Sequence, residues 1–312
     1  MVWINLLCYL CIQGLGVVWS RKITDRFVRY SFLIVLVFAT PHILISSFLW
    51  TEPLFLSIMF FSFYLLDKFH QKNQPKFMVA AIVLLLFLPF IRFAGIFLIF
   101  PLLAFLLLTL KNKKVVFVSF LVLLFLISSW VFIFSEGFLG RWERFIQPFL
   151  AGRLSHIEFN LSSYSKALSS WFFPYTIDGF VSRLISITLM LIIIYRSSKK
   201  YFAQKGNILF LSPLLFLIYF FLMMLVFKVE YYAAERYLSI FYLLIILNIF
   251  LQIDYALESI KSVYFKWGVY FIIFIFALYS FLRTIKNVYF WYDLRSESVS
   301  SDITLSILAM VS

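Results

Sequence analysis

Charge is scarce in this chain. Only 13% of its 312 residues are Asp, Glu, Lys or Arg, and just 14 of them are acidic. An ordinary soluble domain carries ~25% charged residues, and no stretch here is polar enough, for long enough, to build one. Cysteine is nearly absent: the only two, Cys8 and Cys11, sit inside an apolar segment. A lone CxxC with no second pair and no histidine nearby does not make a zinc site, so no metal site is expected. The pair reads as two small membrane-buried residues on one helix face. Other absences remove whole classes of chemistry. No Gly-rich phosphate loop, no HExxH and no GxSxG occurs, which argues against P-loop nucleotide chemistry, zinc proteolysis and serine hydrolysis. Paired transmembrane acids of the kind used in proton relays are also missing, which counts against transport. His42, after Pro41, is the conspicuous polar group deep in a span, and its plain reading is a helix-kink neighbour. No repeat, low-complexity linker or lipidation motif is present.

What the chain does hold is apolar: 64% hydrophobic residues, with 42 phenylalanines. Such a composition predicts an all-α, polytopic transmembrane helix bundle, a single transmembrane domain over residues 1–312. The formal net charge is +13. In a soluble protein that would suggest nucleic acid. Here most cations fall in short loops, where they set topology, and no nucleic-acid partner is expected. Residues 2–19 form a first span, and Arg21, Lys22, Arg26 and Arg29 put the following loop in the cytoplasm and the N-terminus outside. Residues 30–50 return outward, interrupted at Pro41. Residues 54–66 lead inward to Lys68, Lys72 and Lys76. Residues 115–134 rise, and a polar segment, 135–179, forms a medium-sized outer loop. Spans 181–195, 208–227, 237–253 and 268–282 follow, leaving the tail from Arg283 outside. The path gives about nine to ten membrane segments of roughly 20 residues or fewer. Met1 opens directly into a span without a basic n-region or a cleavage pattern, which suggests a missing piece upstream or an unusual start.

One run decides the arrangement. Residues 77–110 are almost uncharged, with lysines at both flanks. As one helix at ~1.5 Å per residue they would measure about 50 Å, against a hydrocarbon core of roughly 30 Å. A single crossing would also leave lysines on both faces of the membrane. A hairpin with its turn near residues 89–95 resolves both problems, and it lifts Arg92 to the outer boundary. There it snorkels, pairs with a carboxylate such as Glu52, or binds a lipid phosphate through its bidentate donors.

Sorting polar residues by face leaves the outer one with Glu52, Arg92, Arg141, Glu143, Arg144, Arg153, His156, Glu158, Glu230, Glu235 and Arg236, so chemistry is expected there. Thr51, Glu52 and Pro53 have a structural reading as N-cap, dipole partner and first-turn proline. They have a functional one as well, with Glu52 orienting a sugar or a partner. Glu235 and Arg236 read either as a salt bridge within an aromatic belt or as a second phosphate ligand. In the outer loop, residues 137–154 have the spacing of an amphipathic interfacial helix. Trp171 to Tyr175 suit belt anchoring more than stacking on a sugar. Asn160, Leu161 and Ser162 form a glycosylation triplet, a weak signal by itself.

Three motifs in order carry a resemblance. A span ends in Ser-x-x-Trp-Thr-Glu-Pro-Leu-Phe (Ser47 to Phe55), a hairpin turn reads Pro-x-x-Arg-x-x-Gly (Pro89, Arg92, Gly95), and Glu-Arg-Tyr-Leu (Glu235 to Leu238) opens a late span. The pattern resembles the GT-C superfamily of polytopic glycosyltransferases, in particular the mannosyltransferase-like enzymes. The likeness implies transfer of a sugar from a polyprenyl-phosphate donor to a glycan, lipid or protein acceptor on the non-cytoplasmic face. It implies a bacterial inner membrane, or the endoplasmic reticulum membrane in a eukaryote, and it implies no cofactor. The family's catalytic acid lies in a first outer loop, and no position here matches it, as in a form lacking that first span. The resemblance therefore transfers Glu52 as a scaffold or acceptor contact and Arg92 and Arg236 as donor-phosphate ligands, with the catalytic residue unknown. A cell-surface polysaccharide polymerase or ligase, and a non-catalytic membrane subunit or carrier, are the competing readings.

Overall fold

A computed structural model describes residues 2–47, 52–92, 95–109, 155–174, 177–204, 208–226, 229 and 231–311. Every regular element among the described residues is helical: α1 (Val2–Ser20), α2 (Arg26–Val37), α3 (Thr40–Ser47), α4 (Glu52–Lys72), α5 (Pro75–Ile91), α6 (Gly95–Thr109), α7 (Ser155–Phe172), α8 (Phe180–Gln204), α9 (Ser212–Val226), α10 (Tyr231–Ser259) and α11 (Val263–Val311). A short 3-10 turn, Ile208–Phe210, precedes α9. The chain is an all-α helical bundle, and five helical segments are long and apolar enough to cross a membrane: Trp3–Ser20, Arg26–Ile43, Phe180–Ala203, Ala234–Ser259 and Val263–Tyr289. Two shorter apolar helices, Pro75–Ile91 and Ser212–Met224, accompany them. The expected span 115–134 and the amphipathic segment 137–154 lie outside the described residues.

Local chemistry explains the breaks. Asp25 caps α2 by accepting from the Val28 amide at 3.0 Å. Helix α2 ends at Val37, four residues before Pro41, whose ring would clash with that carbonyl in a continuous helix. Asn73, at φ 51°, reverses the chain after α4 in the left-handed conformation that Asn tolerates, and Pro75 opens α5 at its first position. The α5–α6 hairpin has a steric signature: a Cβ on Gly95 would sit 2.6 Å from the Leu88 carbonyl carbon and the Pro89 nitrogen. The chain can fold back this tightly on α5 only where no side chain intervenes.

Side-chain contacts give the helix directions. Lys22, after α1, pairs with Asp67 near the end of α4 at 2.7 Å, so α1 and α4 point the same way. Asp254 of α10 accepts from the Thr24 and Asp25 amides at 2.9 Å each, Phe32 meets Phe250 at 5.6 Å, and His42 reaches the Ser239 carbonyl at 3.4 Å; α2 and α3 therefore run against α10. Tyr270 donates to Asp25 at 2.7 Å, and Thr284 reaches the Phe38 carbonyl at 2.7 Å, so α11 runs beside α2 in parallel. One end of the bundle thus gathers Lys22, Asp25, Asp67, Asp254 and the basic loops. The other gathers Glu52, Arg92, Glu235 and Arg236.

Helix α10 is the centre. In its span 72% of residues are buried, against 22% in that of α11. Its aromatic side chains meet those of several neighbours: Phe241 packs against Phe63, Phe216 and Tyr219, and Tyr242 against His42 and Trp171.

Several expectations are revised. Residues 155–172, expected inside an outer loop, form helix α7, which packs into the bundle with Tyr164, Ala167, Leu168 and Trp171 buried. Trp171 is therefore a core residue and not a belt anchor. Helix α11 continues through Arg283, whose largely buried side chain reaches α7 and α10. Cys8 is buried but Cys11 is exposed, so the two do not share one buried face. His42 is fully buried rather than a bystander at a kink, with its ring edge-on to Phe60 and Tyr242.

Candidate functional site

Glu52, Arg92 and Arg236 come together. Glu52 stands in the first turn of α4 and is 5% exposed. Its Oε1 accepts from Nη1 of Arg92, which caps the C-terminus of α5, and from Nη2 of Arg236 in the second turn of α10. Three helices far apart in sequence are thus clamped at one point. The Arg-x-x-Gly spacing has a physical basis. The Arg92 amide bonds the Leu88 carbonyl at 3.0 Å, closing α5, and the Gly95 amide bonds the Arg92 carbonyl at 2.9 Å. The bare α-carbon of Gly95 then lets α6 begin directly beside α5 and holds Arg92 at the rim. Phe55, Leu56, Tyr237, Ser239 and Ile240 complete the walls of a small void of about 10 Å³, room for one water at most. Two guanidinia on one carboxylate leave one positive charge in excess, in apolar surroundings where charge interactions are strong.

Consecutive residues of α10 serve different clamps. Glu235 accepts from Arg283 Nη2 at 2.7 Å, and Ser170 Oγ lies 3.4 Å from it. Arg283 also donates to the Ser170 carbonyl through Nη1. Tyr279 O–H donates to the Ser170 and Phe173 carbonyls at 3.0 and 2.7 Å. The carbonyls at the end of α7 would otherwise be orphaned inside the bundle, and a cation beside that terminus matches the helix dipole. Sequence reasoning misses Arg283 because it follows an unbroken apolar run and looks like the first residue of a tail.

The outer polar residues of the former loop fare unequally. Asn160 is fully buried: its amide donates to the Met224 carbonyl at 2.9 Å, and its oxygen accepts from the Val229 amide at 2.7 Å. It splices α7 to the segment between α9 and α10, and the asparagine of the glycosylation triplet is inaccessible in the folded chain. Glu158 is exposed. Arg144 and the side chain of His156 lie outside the described residues. No protein-family model matches the chain, and neither a curated protein nor a solved structure matches it.

Between α7 and α8, Asp178 accepts from Arg183 Nε and Nη2 at 2.9 and 2.8 Å, with Lys166 at 3.9 Å. The hydrogen bonds from Arg183, then its charge and that of Lys166, hold the Asp178 carboxyl below the usual carboxylate range. At mid-bundle Asn248 accepts from Ser197 at 2.6 Å and donates to the Leu209 carbonyl at 2.8 Å; these bonds pin α8 and the 3-10 turn to α10. Among the described residues no group of His, Cys, Asp and Glu could hold a metal ion.

Proposed function

We propose that this chain is a membrane glycosyltransferase. It takes a sugar from a polyprenyl-phosphate-linked donor and passes it to a glycan, lipid or protein acceptor on the non-cytoplasmic face of a bacterial inner membrane, or of the endoplasmic reticulum membrane in a eukaryote. The observation that carries the reading is the convergence of Arg92 and Arg236 on Glu52, at the end of the bundle remote from the basic loops. A donor phosphate at the membrane boundary needs cations, because the leaving group gains negative charge as the sugar departs. Guanidinia suit that task through paired N–H donors. Glu52 holds the two arginines in register and fills their donors when no ligand is present. The exposed apolar faces of α5 and α6, with Val79, Val83, Phe87 and Leu107, offer a surface to the prenyl chain. None of these three residues is assigned the general base that would take the acceptor proton.

The test is binding of a long-chain polyprenyl phosphate to the purified protein, followed by native mass spectrometry with polyprenol as the comparison. Wild-type protein retains the phosphate in preference to the alcohol. Arg92→Ala and Arg236→Ala each weaken the phosphate by about tenfold or more, roughly 1.4 kcal/mol. Arg92→Lys restores only part of that, since an ammonium lacks the planar fork. Equal retention of the alcohol and the phosphate by wild-type protein sinks the reading and favours the carrier or subunit.

A further inference from the structure

The turn between α4 and α5 gathers cations that no acid answers. Lys68 and Lys72 stand one turn apart at the end of α4, and Lys76 lies in the first turn of α5. Between them the chain reverses at Asn73, whose amide bonds the Phe69 carbonyl at 2.7 Å, and Pro75 fixes the entry to α5. The reversal brings two lysines to a single ring: the ammonium groups of Lys72 and Lys76 lie 5.9 and 5.4 Å from the centre of Phe77. Lys68 stands 5.3 Å from the centre of Tyr64. Among the described residues none of the three makes an ion pair. The neighbouring acid, Asp67, is taken by Lys22 at 2.7 Å and by Gln71 at 3.1 Å. Two ammonium groups beside one ring repel each other, and an anion between them relieves that repulsion.

Apolar surface begins directly beside these charges. On α5, Val79 and Val83 follow Lys76 at i+3 and i+7, on its own face of the helix, and both are exposed. On α4, exposed Phe61 stacks on Tyr64, the ring next to Lys68, at 6.1 Å. We infer that the α4–α5 turn holds the headgroup of an anionic phospholipid, with Lys72 and Lys76 on its phosphate, Lys68 at the rim, and its acyl chains over Phe61 and over Val79 and Val83. A free anion would use the lysines and leave the two apolar columns bare. A zwitterionic lipid would bring a cation of its own against three others. The positive-inside rule predicts that this end faces the cytoplasm, the side on which a membrane presents its anionic lipids. The site is separate from the arginine pair. Lys76 opens α5 and Arg92 closes it, about 24 Å apart at ~1.5 Å per residue, so the inference stands whether or not the arginines take a donor phosphate.

The experiment offers the purified full chain, in detergent micelles, dioleoylphosphatidylglycerol and dioleoylphosphatidylcholine, which differ only in the headgroup, and counts retained lipid by native mass spectrometry. Wild-type protein is expected to keep the anionic lipid in preference to the zwitterionic one. Lys72→Gln/Lys76→Gln, at two exposed positions, lowers that preference by about tenfold. Lys261→Gln/Lys266→Gln removes the same charge from another basic loop and leaves the preference in place. Lys72→Arg/Lys76→Arg keeps it as well, which separates loss of charge from damage to the turn. Wild-type protein without a preference overturns the inference, and so does a Lys72→Gln/Lys76→Gln variant that retains it in full. Equal loss in the two glutamine variants marks the diffuse field of a basic surface, and loss in the arginine variant marks a packing role; either result overturns it. Displacement of the lipid by an equal concentration of inorganic phosphate overturns it too, because the apolar columns would then contribute nothing.

Discussion

At the scale of single residues, the tightest constraint is at Gly95. A Cβ added there would meet the backbone of Leu88 and Pro89, and a backbone obstacle does not yield as a side chain would. Gly95→Ala should cost about 1–3 kcal/mol, the usual range for overpacking. It should also loosen Arg92 from Glu52. The check is a thermal melt in detergent alongside Gly14→Ala, where an added Cβ meets nothing within 4 Å; equal melting of the two variants would refute the steric account. Glu52 and Arg92 were legible in the sequence because they flank neighbouring turns and rise to the same face. Arg236 was legible as a cation at the head of a span. Arg283 was not, because its partner Glu235 and the carbonyl of Ser170 come from segments far away in the chain. His42 stands out in the sequence for its neighbour Pro41, whereas what distinguishes it is complete burial beside Phe60 and Tyr242.

At the scale of elements, α7 is the part that sequence reasoning placed poorly. It contains serines, Asn160 and Lys166, and its polarity marked it as solvent-exposed loop. Burial of Ser163, Ser165, Ser169 and Ser170 is possible because small hydroxyls let helices approach closely and can bond a carbonyl one turn back, as Ser165 and Ser170 do at 2.9 and 2.7 Å. The other helices were legible because a long apolar run bounded by lysines admits few alternatives. Asp178 ties α7 to α8, and its lowered carboxyl pKa has a consequence with a definite sign. A carboxylate favoured in the folded state contributes stability above its unfolded pKa, and loses it as pH falls through the folded value. The melting temperature of wild type should exceed that of Asp178→Asn at neutral pH, and the gap should close on acidification through and below the ordinary carboxylate range. A gap that persists in acid would show that the asparagine variant fails for reasons of shape rather than charge.

At the scale of the whole molecule, the two ends of the bundle differ in kind. One end uses its acids to bind backbone amides and lysine, as Asp254 and Asp67 do, while basic residues crowd the adjacent loops. The other carries cations in excess around Glu52. The positive-inside rule predicts that the first end faces the cytoplasm. Cysteine introduced at the exposed positions Ser162 and Ser262, in a background lacking Cys8 and Cys11, therefore has opposite accessibilities. Ser162→Cys should react with an impermeant maleimide on intact cells, and Ser262→Cys only after permeabilisation. Labelling in the reverse order would invert the bundle and put the arginine clamp on the cytoplasmic side.

The buried splice at Asn160 sets a clock on maturation. In a secretory host, an oligosaccharide could reach this asparagine only before α7 docks, and once attached it would bar the amide from Met224 and Val229. Sugar occupancy there would count molecules that paused before closing, so the triplet records the order of assembly and not the finished surface.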